Sequence, residues 1–170
     1  AAELAGVEYA SVAIITLVLD GPVGSGSGYL VPAVEGRTTK AVTFTSRKWA
    51  HYAGSSVLRA SVGRAGDTAD LQRSDEELVA AVVGELAQTV GPLPQVLDSR
   101  VVRWGGGLPQ YAVGHLDLVA RVRAGVARLP GLAVAGAAYD GVGVPAVARS
   151  GREAAAGVVG DNGPHDRQQA

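Results

Sequence analysis

Residues Val12 to Leu19 are apolar and rich in β-branched side chains, and no other stretch constrains the fold as strongly. Such a run reads as a buried strand. Asp20-Gly21-Pro22 stops it, and the Gly/Ser stretch from Gly21 to Gly28 reads as a flexible loop. Further short strands are predicted at Tyr29 to Val31, Ala41 to Thr45 and Val57 to Val62, each bounded by Gly, Pro, Ser or charged residues. Strands at that spacing suggest an antiparallel sheet.

The pattern then changes period. Ser74 is an N-cap candidate, with Glu77 three residues on, so the two can form a capping box. Leu78, Val82 and Leu86, flanked by Val79 and Val83, give the following helix one apolar face, and Gly91-Pro92 ends it. Another strand is expected at Gln95 to Val102. A second helix is expected from Leu116 to Leu129, with Val119, Val122 and Val126 inward and Arg121, Arg123 and Arg128 in water. A short strand at Leu132 to Val134 and a third helix from Pro145 to about Gly157 complete the elements. The fold class expected is therefore α+β. The polar tail from Gly160 to Ala170 is expected to be disordered.

Composition narrows the functional classes. The charges balance, 15 Lys+Arg against 16 Asp+Glu, so nothing suggests a nucleic-acid partner. Cysteine is absent, which excludes disulfides and thiolate metal sites and is compatible with a cytoplasmic protein. The longest apolar stretch, Ser11 to Leu19, is far below the roughly 20 residues needed to cross a bilayer, so no transmembrane segment is expected. With no Met and a strand almost at its start, the sequence reads as beginning inside a larger protein. No paired carboxylates, no Ser–His–Asp order and no metal-ligand spacing stand out, and no catalytic or metal-binding residue is assigned.

The segment that carries chemistry is Leu132 to Pro145: an apolar run, a Gly-rich turn, and a helix opened by proline. Gly141 and Gly143 allow unusual dihedrals and close approach of a ligand to the backbone. The free N–H groups and dipole of a helix start favour negative charge. The N1–C2=O edge of a reduced flavin would suit that environment. A plain strand–turn–helix unit with no ligand explains the same residues equally well. Ala148, Gly151 and Ala155 form a small-residue face, predicting a close neighbour at Gly151.

Four ordered segments add a likeness. Arg103-Trp104 with Leu108-Pro109-Gln110-Tyr111 and Val113-Gly114-His115 resembles the "RW…PQY.VGH" segment of the oxygen-dependent protoporphyrinogen and coproporphyrinogen oxidase family. Gly136 to Pro145 resembles the family's C-terminal "GA…GVGIP" flavin segment. Arg47-Lys48-Trp49-Ala50-His51 resembles "KKWPH", and Gly28 to Pro32 resembles "G.LVP" of the substrate domain. The likeness is strongest to the actinobacterial branch and covers about Glu3 to Gly157.

The resemblance implies a flavin domain of the p-hydroxybenzoate-hydroxylase-like type with an inserted substrate domain. By it, residues 1–100 are a substrate-binding portion, residues 101–159 return to the FAD-binding domain, and residues 160–170 are the tail. It implies FAD as cofactor, with Trp104, Val142, Gly143 and Val144 touching the flavin. It places Leu30, and less directly Ser61, beside the tetrapyrrole. The implied activity is six-electron oxidation of a porphyrinogen of haem biosynthesis, with molecular oxygen reduced to hydrogen peroxide. The G-x-G-x-x-G turn that grips the pyrophosphate of FAD is absent, since no helix opens after Gly24-Ser25-Gly26-Ser27-Gly28. A truncated non-catalytic remnant, or a fragment of a related flavin amine oxidase or desaturase, are the alternatives. Arg47, Lys48 and Arg59 are candidates to meet substrate carboxylates. His51 and His115 are expected in capping or surface roles, and Asp140 as a turn former.

Overall fold

The computed structural model describes residues 3–52, 54 and 56–161. The chain divides into two compact units, Ala10–Gly107 and a second built from Ala1–Tyr9 with Leu108–Ala170.

The first unit is an α+β sheet-and-helix body. Its strands are β1 (Tyr9–Leu19), β2 (Gly28–Leu30), β3 (Thr39–Thr43), β4 (Ser56–Val62) and β5 (Val96–Pro109). They form a five-stranded sheet in the order β2-β3-β4-β1-β5. β2/β3, β3/β4 and β4/β1 are antiparallel pairs, as the turn-bounded runs predict. β5 continues well past Val102, and the unit runs to Gly107, beyond the residue-100 limit expected for the sheet portion.

Alternation along β1 buries Ala13, Ile15, Leu17 and Leu19 on one face. Helix α2 (Asp75–Val90) lies over that face and contributes Leu78, Val82 and Leu86, so the four-residue repeat is a core seam. Its capping box is present: Ser74 Oγ accepts from Glu77 N–H at 3.2 Å, and the Glu77 carboxylate accepts from Ser74 N–H at 2.8 Å. Gly91, at φ +89°, closes the helix. The predicted strand at Ala41 to Thr45 stops at Thr43. Phe44 N–H donates to the Ser27 carbonyl, and the Phe44 carbonyl then accepts from Arg47 and Lys48, starting the short helix α1 (Thr45–Lys48). The Phe44 ring is buried against Tyr29, which holds the chain at that bend.

The second unit holds α3 (His115–Val126), α4 (Ala137–Asp140) and α5 (Val144–Asp161). Val119 and Val122 of α3 are buried, as their spacing predicts, while Arg121, Arg123 and Arg128 are exposed. The strand predicted at Leu132 to Val134 is not formed. Strands persist through ladder partners, no described strand pairs with this run, and Leu132 and Ala133 are exposed. Helix α5 runs to Asp161, past the expected end near Gly157; the rest of the predicted tail, 162–170, lies outside the described residues. Ala148, Gly151 and Ala155 are exposed, and a methyl group at Gly151 would meet open space, so nothing among the described residues crowds that face. Among the described residues no helix is long and apolar enough to cross a membrane.

Candidate functional site

The face of the sheet opposite α2 is open, and strand register decides which side chains share it. Leu30 pairs with Ala41, Ala41 with Ser61, and Ser61 with Ile14, which makes one continuous row across four strands. Cross-strand partners stand on the same face. Leu30 and Ser61, chosen from separate motifs, therefore lie in one row about 10 Å apart across β3. A neighbouring row is Gly28, Thr43, Arg59 and Thr16, and Val57 pairs with Val18 beyond it. Leu30 is 81% exposed, and Ala41, Ser61 and Ile14 are half-buried. The two rows and the Val57–Val18 pair carry apolar groups, hydroxyls and one guanidinium, and no carboxylate. The Arg59 guanidinium makes no hydrogen bond or ion pair among the described residues.

Gly28 shapes one end of this face. Its φ is +143°, and a Cβ there would fall 2.1 Å from the Val42 carbonyl oxygen. Only glycine lets β2 lie this close to β3.

On β5, Arg103 and Trp104 alternate. The Arg103 guanidinium donates to the Leu71 carbonyl at 3.2 Å and the Arg73 carbonyl at 2.7 Å, and pairs with Asp75 at the start of α2. Its neighbour Trp104 stays 58% exposed. Gly107 leaves room for it, since a Cβ there would lie 3.1 Å from Trp104 Cβ.

In the second unit, the turn between α4 and α5 is held from both sides. The His115 ring meets the Ala138 carbonyl at 2.8 Å and stacks on Tyr111 with centroids 4.4 Å apart. The Tyr111 hydroxyl donates to the Ala137 carbonyl. His115 is thus a half-buried brace rather than a cap or surface residue; Gly114, at φ +84°, occupies the capping position. Asp140 does more than turn the chain. It accepts from Arg123 at 2.7 and 2.8 Å and from the hydroxyl of buried Ser150, which itself accepts from Gly136 N–H at 2.9 Å. The Ser150 hydrogen bond, and then Arg123, hold the Asp140 carboxyl below the usual carboxylate range.

Gly141, at φ +109°, leaves this clamp, and the chain turns into α5. The Gly143 carbonyl accepts from Val147 N–H at 3.0 Å, closing the first turn. Pro145 has no N–H to offer, so the backbone groups of Val144 and Ala146 are the free donors of the helix start. Val142 and Val144 are 51% and 82% exposed there. The three turn residues expected at a flavin edge are together and accessible; Trp104 belongs to the other unit. Arg123, Ser150 and the bracing role of His115 escaped sequence reasoning, because no spacing rule connects them to Asp140 or Ala138.

Residues 1–159 match the family of flavin containing amine oxidoreductases. The chain belongs to that family. Within this flavin amine oxidoreductase chain, 146 residues are 42% identical to the coproporphyrinogen III oxidase of Mycobacterium tuberculosis, covering 84% of this chain and 32% of that protein. The coproporphyrinogen III oxidase of Bacillus subtilis is 31% identical over 153 residues, covering 85% and 33%. A solved structure named as a protoporphyrinogen oxidase, from an Exiguobacterium strain, superposes with TM-score 0.81 at 36% identity, over 89% of this chain and 35% of that one. Reduced UDP-galactopyranose mutase, at TM-score 0.60 and 16% identity, covers 75% of this chain and 28% of its own and shares the fold alone. The chain spans about a third of the length of the curated relatives it matches.

The family implies a flavin. One part of the structure fits such a group: an accessible glycine turn with free N–H donors, fixed from behind by the Asp140 clamp. The pyrophosphate turn is not among these residues.

Proposed function

We propose that this chain is the porphyrinogen-facing part of an FAD-dependent oxidase that dehydrogenates coproporphyrinogen III, or protoporphyrinogen IX, to the porphyrin in haem biosynthesis. The observation that carries the reading is the open sheet face. Its rows Leu30–Ala41–Ser61–Ile14 and Gly28–Thr43–Arg59–Thr16 offer a broad, mildly apolar platform with a cation unpaired among the described residues and no carboxylate. A broad tetrapyrrole macrocycle with acidic side chains has the complementary size and charge. The likeness to named coproporphyrinogen III oxidases favours the tetracarboxylate substrate.

Leu30 and Ser61 are assigned to the substrate, and Trp104, Val142, Gly143 and Val144 to the flavin of a p-hydroxybenzoate-hydroxylase-like FAD domain. Bound FAD supplies the two-electron acceptor and the route to oxygen. The free N–H groups at the start of α5 favour negative charge on whatever faces them. No side chain of this chain is given a proton-transfer role. Overall, three two-electron oxidations remove six electrons and six protons, and three molecules of oxygen become three of hydrogen peroxide. The protein is placed in the cytoplasm.

The full-length gene product, loaded with FAD, is mixed anaerobically with coproporphyrinogen III and then exposed to oxygen. Flavin bleaching, followed by coproporphyrin fluorescence and about three peroxides per porphyrin, is the expected result. Flavin that stays oxidised with either porphyrinogen overturns the oxidase reading. The 170-residue chain alone, mixed with excess FAD and desalted, is expected to retain little flavin absorbance.

A further inference from the structure

One cluster at the edge of the open face is used by none of the roles above. Between Thr39 and Ala41 the β3–β4 register slips, so Lys40 is an extra residue in the ladder. Such bulges leave a residue unpaired and re-aim its side chain, often beside a site. The Lys40 carbonyl accepts from Val31 N–H at 2.8 Å, and the Val31 carbonyl accepts from the Arg64 guanidinium at 3.1 Å. The Lys40 backbone and the Arg64 side chain thus meet at the residue that follows Leu30, and both residues flank the Leu30–Ala41–Ser61 row in sequence.

The two charges are not neutralised within the described residues. Two acids close to them in the chain or the ladder are engaged by backbone N–H groups. The Glu85 carboxylate accepts from Thr38 and Thr39 N–H, both at 2.8 Å, and Asp67 accepts from Ala69 N–H at 3.1 Å. Neither Lys40 nor Arg64 makes an ion pair there, and both are half-buried. Burial, and then the Arg64 charge, push the Lys40 ammonium below the usual lysine range. Two cations held together without an acid are unfavourable unless an anion joins them. Arg59 stands further along the same face, so the anion-reading groups are spread along it rather than gathered at one point.

We infer that Lys40 and Arg64 are specificity-determining residues that read a carboxylate at the outer end of the sheet face and favour the more highly carboxylated porphyrinogen; this rests on the substrate reading above. Coproporphyrinogen keeps two carboxylates that protoporphyrinogen has lost as vinyl groups. Arg59 can serve a propionate common to both, while Lys40 and Arg64 serve one that only the former carries.

The test uses the full-length gene product and the fluorescent porphyrins themselves, coproporphyrin III and protoporphyrin IX, so that binding is read without turnover. Lys40→Gln and Arg64→Gln are each expected to weaken coproporphyrin binding about tenfold, and protoporphyrin binding less than about threefold. Lys40→Arg should recover most of the loss, and Arg128→Gln, which removes an exposed charge in the other unit, should leave both affinities alone. Equal weakening for both porphyrins, or no change in either, overturns the inference. If Arg64→Gln loses its circular dichroism, the Lys40→Gln and Lys40→Arg pair decides alone, because the Lys40 side chain holds no hydrogen bond among the described residues. A wild-type protein that binds with this selectivity but oxidises neither porphyrinogen refutes the proposed function and not this inference.

Discussion

Asp140 is a single carboxylate that accepts three hydrogen bonds from two donors, Arg123 and Ser150, and its electrostatics can be read by titration. Its folded pKa is depressed, with Ser150 as the largest cause and Arg123 next. A depressed carboxylate contributes stability above its unfolded pKa, about 3.9, and loses it as pH falls from there through the folded value. Asp140→Asn is therefore expected to unfold more easily than the parent at pH 7, with the gap closing in acid. Urea titrations at pH 7 and pH 3 check this; a gap of equal size at both would show that the charge is irrelevant. Ser150 is buried and bridges Gly136 N–H to Asp140, so Ser150→Ala strands a donor and is expected to cost about 1–3 kcal/mol. Gly28 makes a steric demand instead. A methyl group there collides with the Val42 carbonyl at a positive φ, so Gly28→Ala is expected to cost about 1–3 kcal/mol and to loosen β2. Porphyrin affinity should fall with it, because Leu30 rides on that strand. A variant with parental melting and binding would refute this account of Gly28.

At the scale of elements, α2 was the most legible part of the chain. A capping box, a four-residue apolar repeat and a Gly-Pro stop are all local signals, and each is present where the residues predict it. Leu78 is fully buried in the core cluster, so Leu78→Ala is expected to cost about 2–5 kcal/mol. Ser74→Ala should cost about 1 kcal/mol through the cap alone. Chemical denaturation separates the two, and a cap variant as damaging as the core variant would contradict this ranking. The strand at Leu132 to Val134 misled because an apolar run states a propensity, while a strand needs a partner ladder. The bulge at Lys40 was illegible for a related reason: register belongs to a pair of strands, not to either one. The candidate site divides the same way. Val142, Gly143 and Val144 are contiguous, so their common exposure at a helix start followed from local pattern. Leu30 and Ser61 came from a family likeness, and only cross-strand pairing puts them in one row. The clamp on Asp140 joins residues from α3, α4 and α5, and no one-dimensional period contains it.

Across the whole molecule, apolar burial is unevenly distributed between the two units, and stability should follow it. The core cluster draws its fully buried members from Ala13 to Leu86, all within Ala10–Gly107. In the other unit the buried apolar residues among those described are Pro109, Val119, Val122 and Ala138, and α5 buries only Ser150. Each fully buried aliphatic side chain contributes about 1.5–3 kcal/mol, so the unit carrying α5 has much less to lose when it opens. Local opening free energies run from near zero up to the global value according to such burial. Amide exchange on the chain should therefore be slowest in β1, β4 and α2, and faster by orders of magnitude in α5 despite its length. The same contrast gives a ligand readout in the full-length gene product. FAD that binds the native state alone stabilises what it touches in proportion to its saturation. Excess FAD is accordingly expected to slow exchange at the start of α5, from Val142 to about Gly151, and to leave β4 unchanged. Slowing confined to the sheet, with α5 unaffected, would remove Val142, Gly143 and Val144 from the flavin site while leaving Leu30 and Ser61 as substrate contacts.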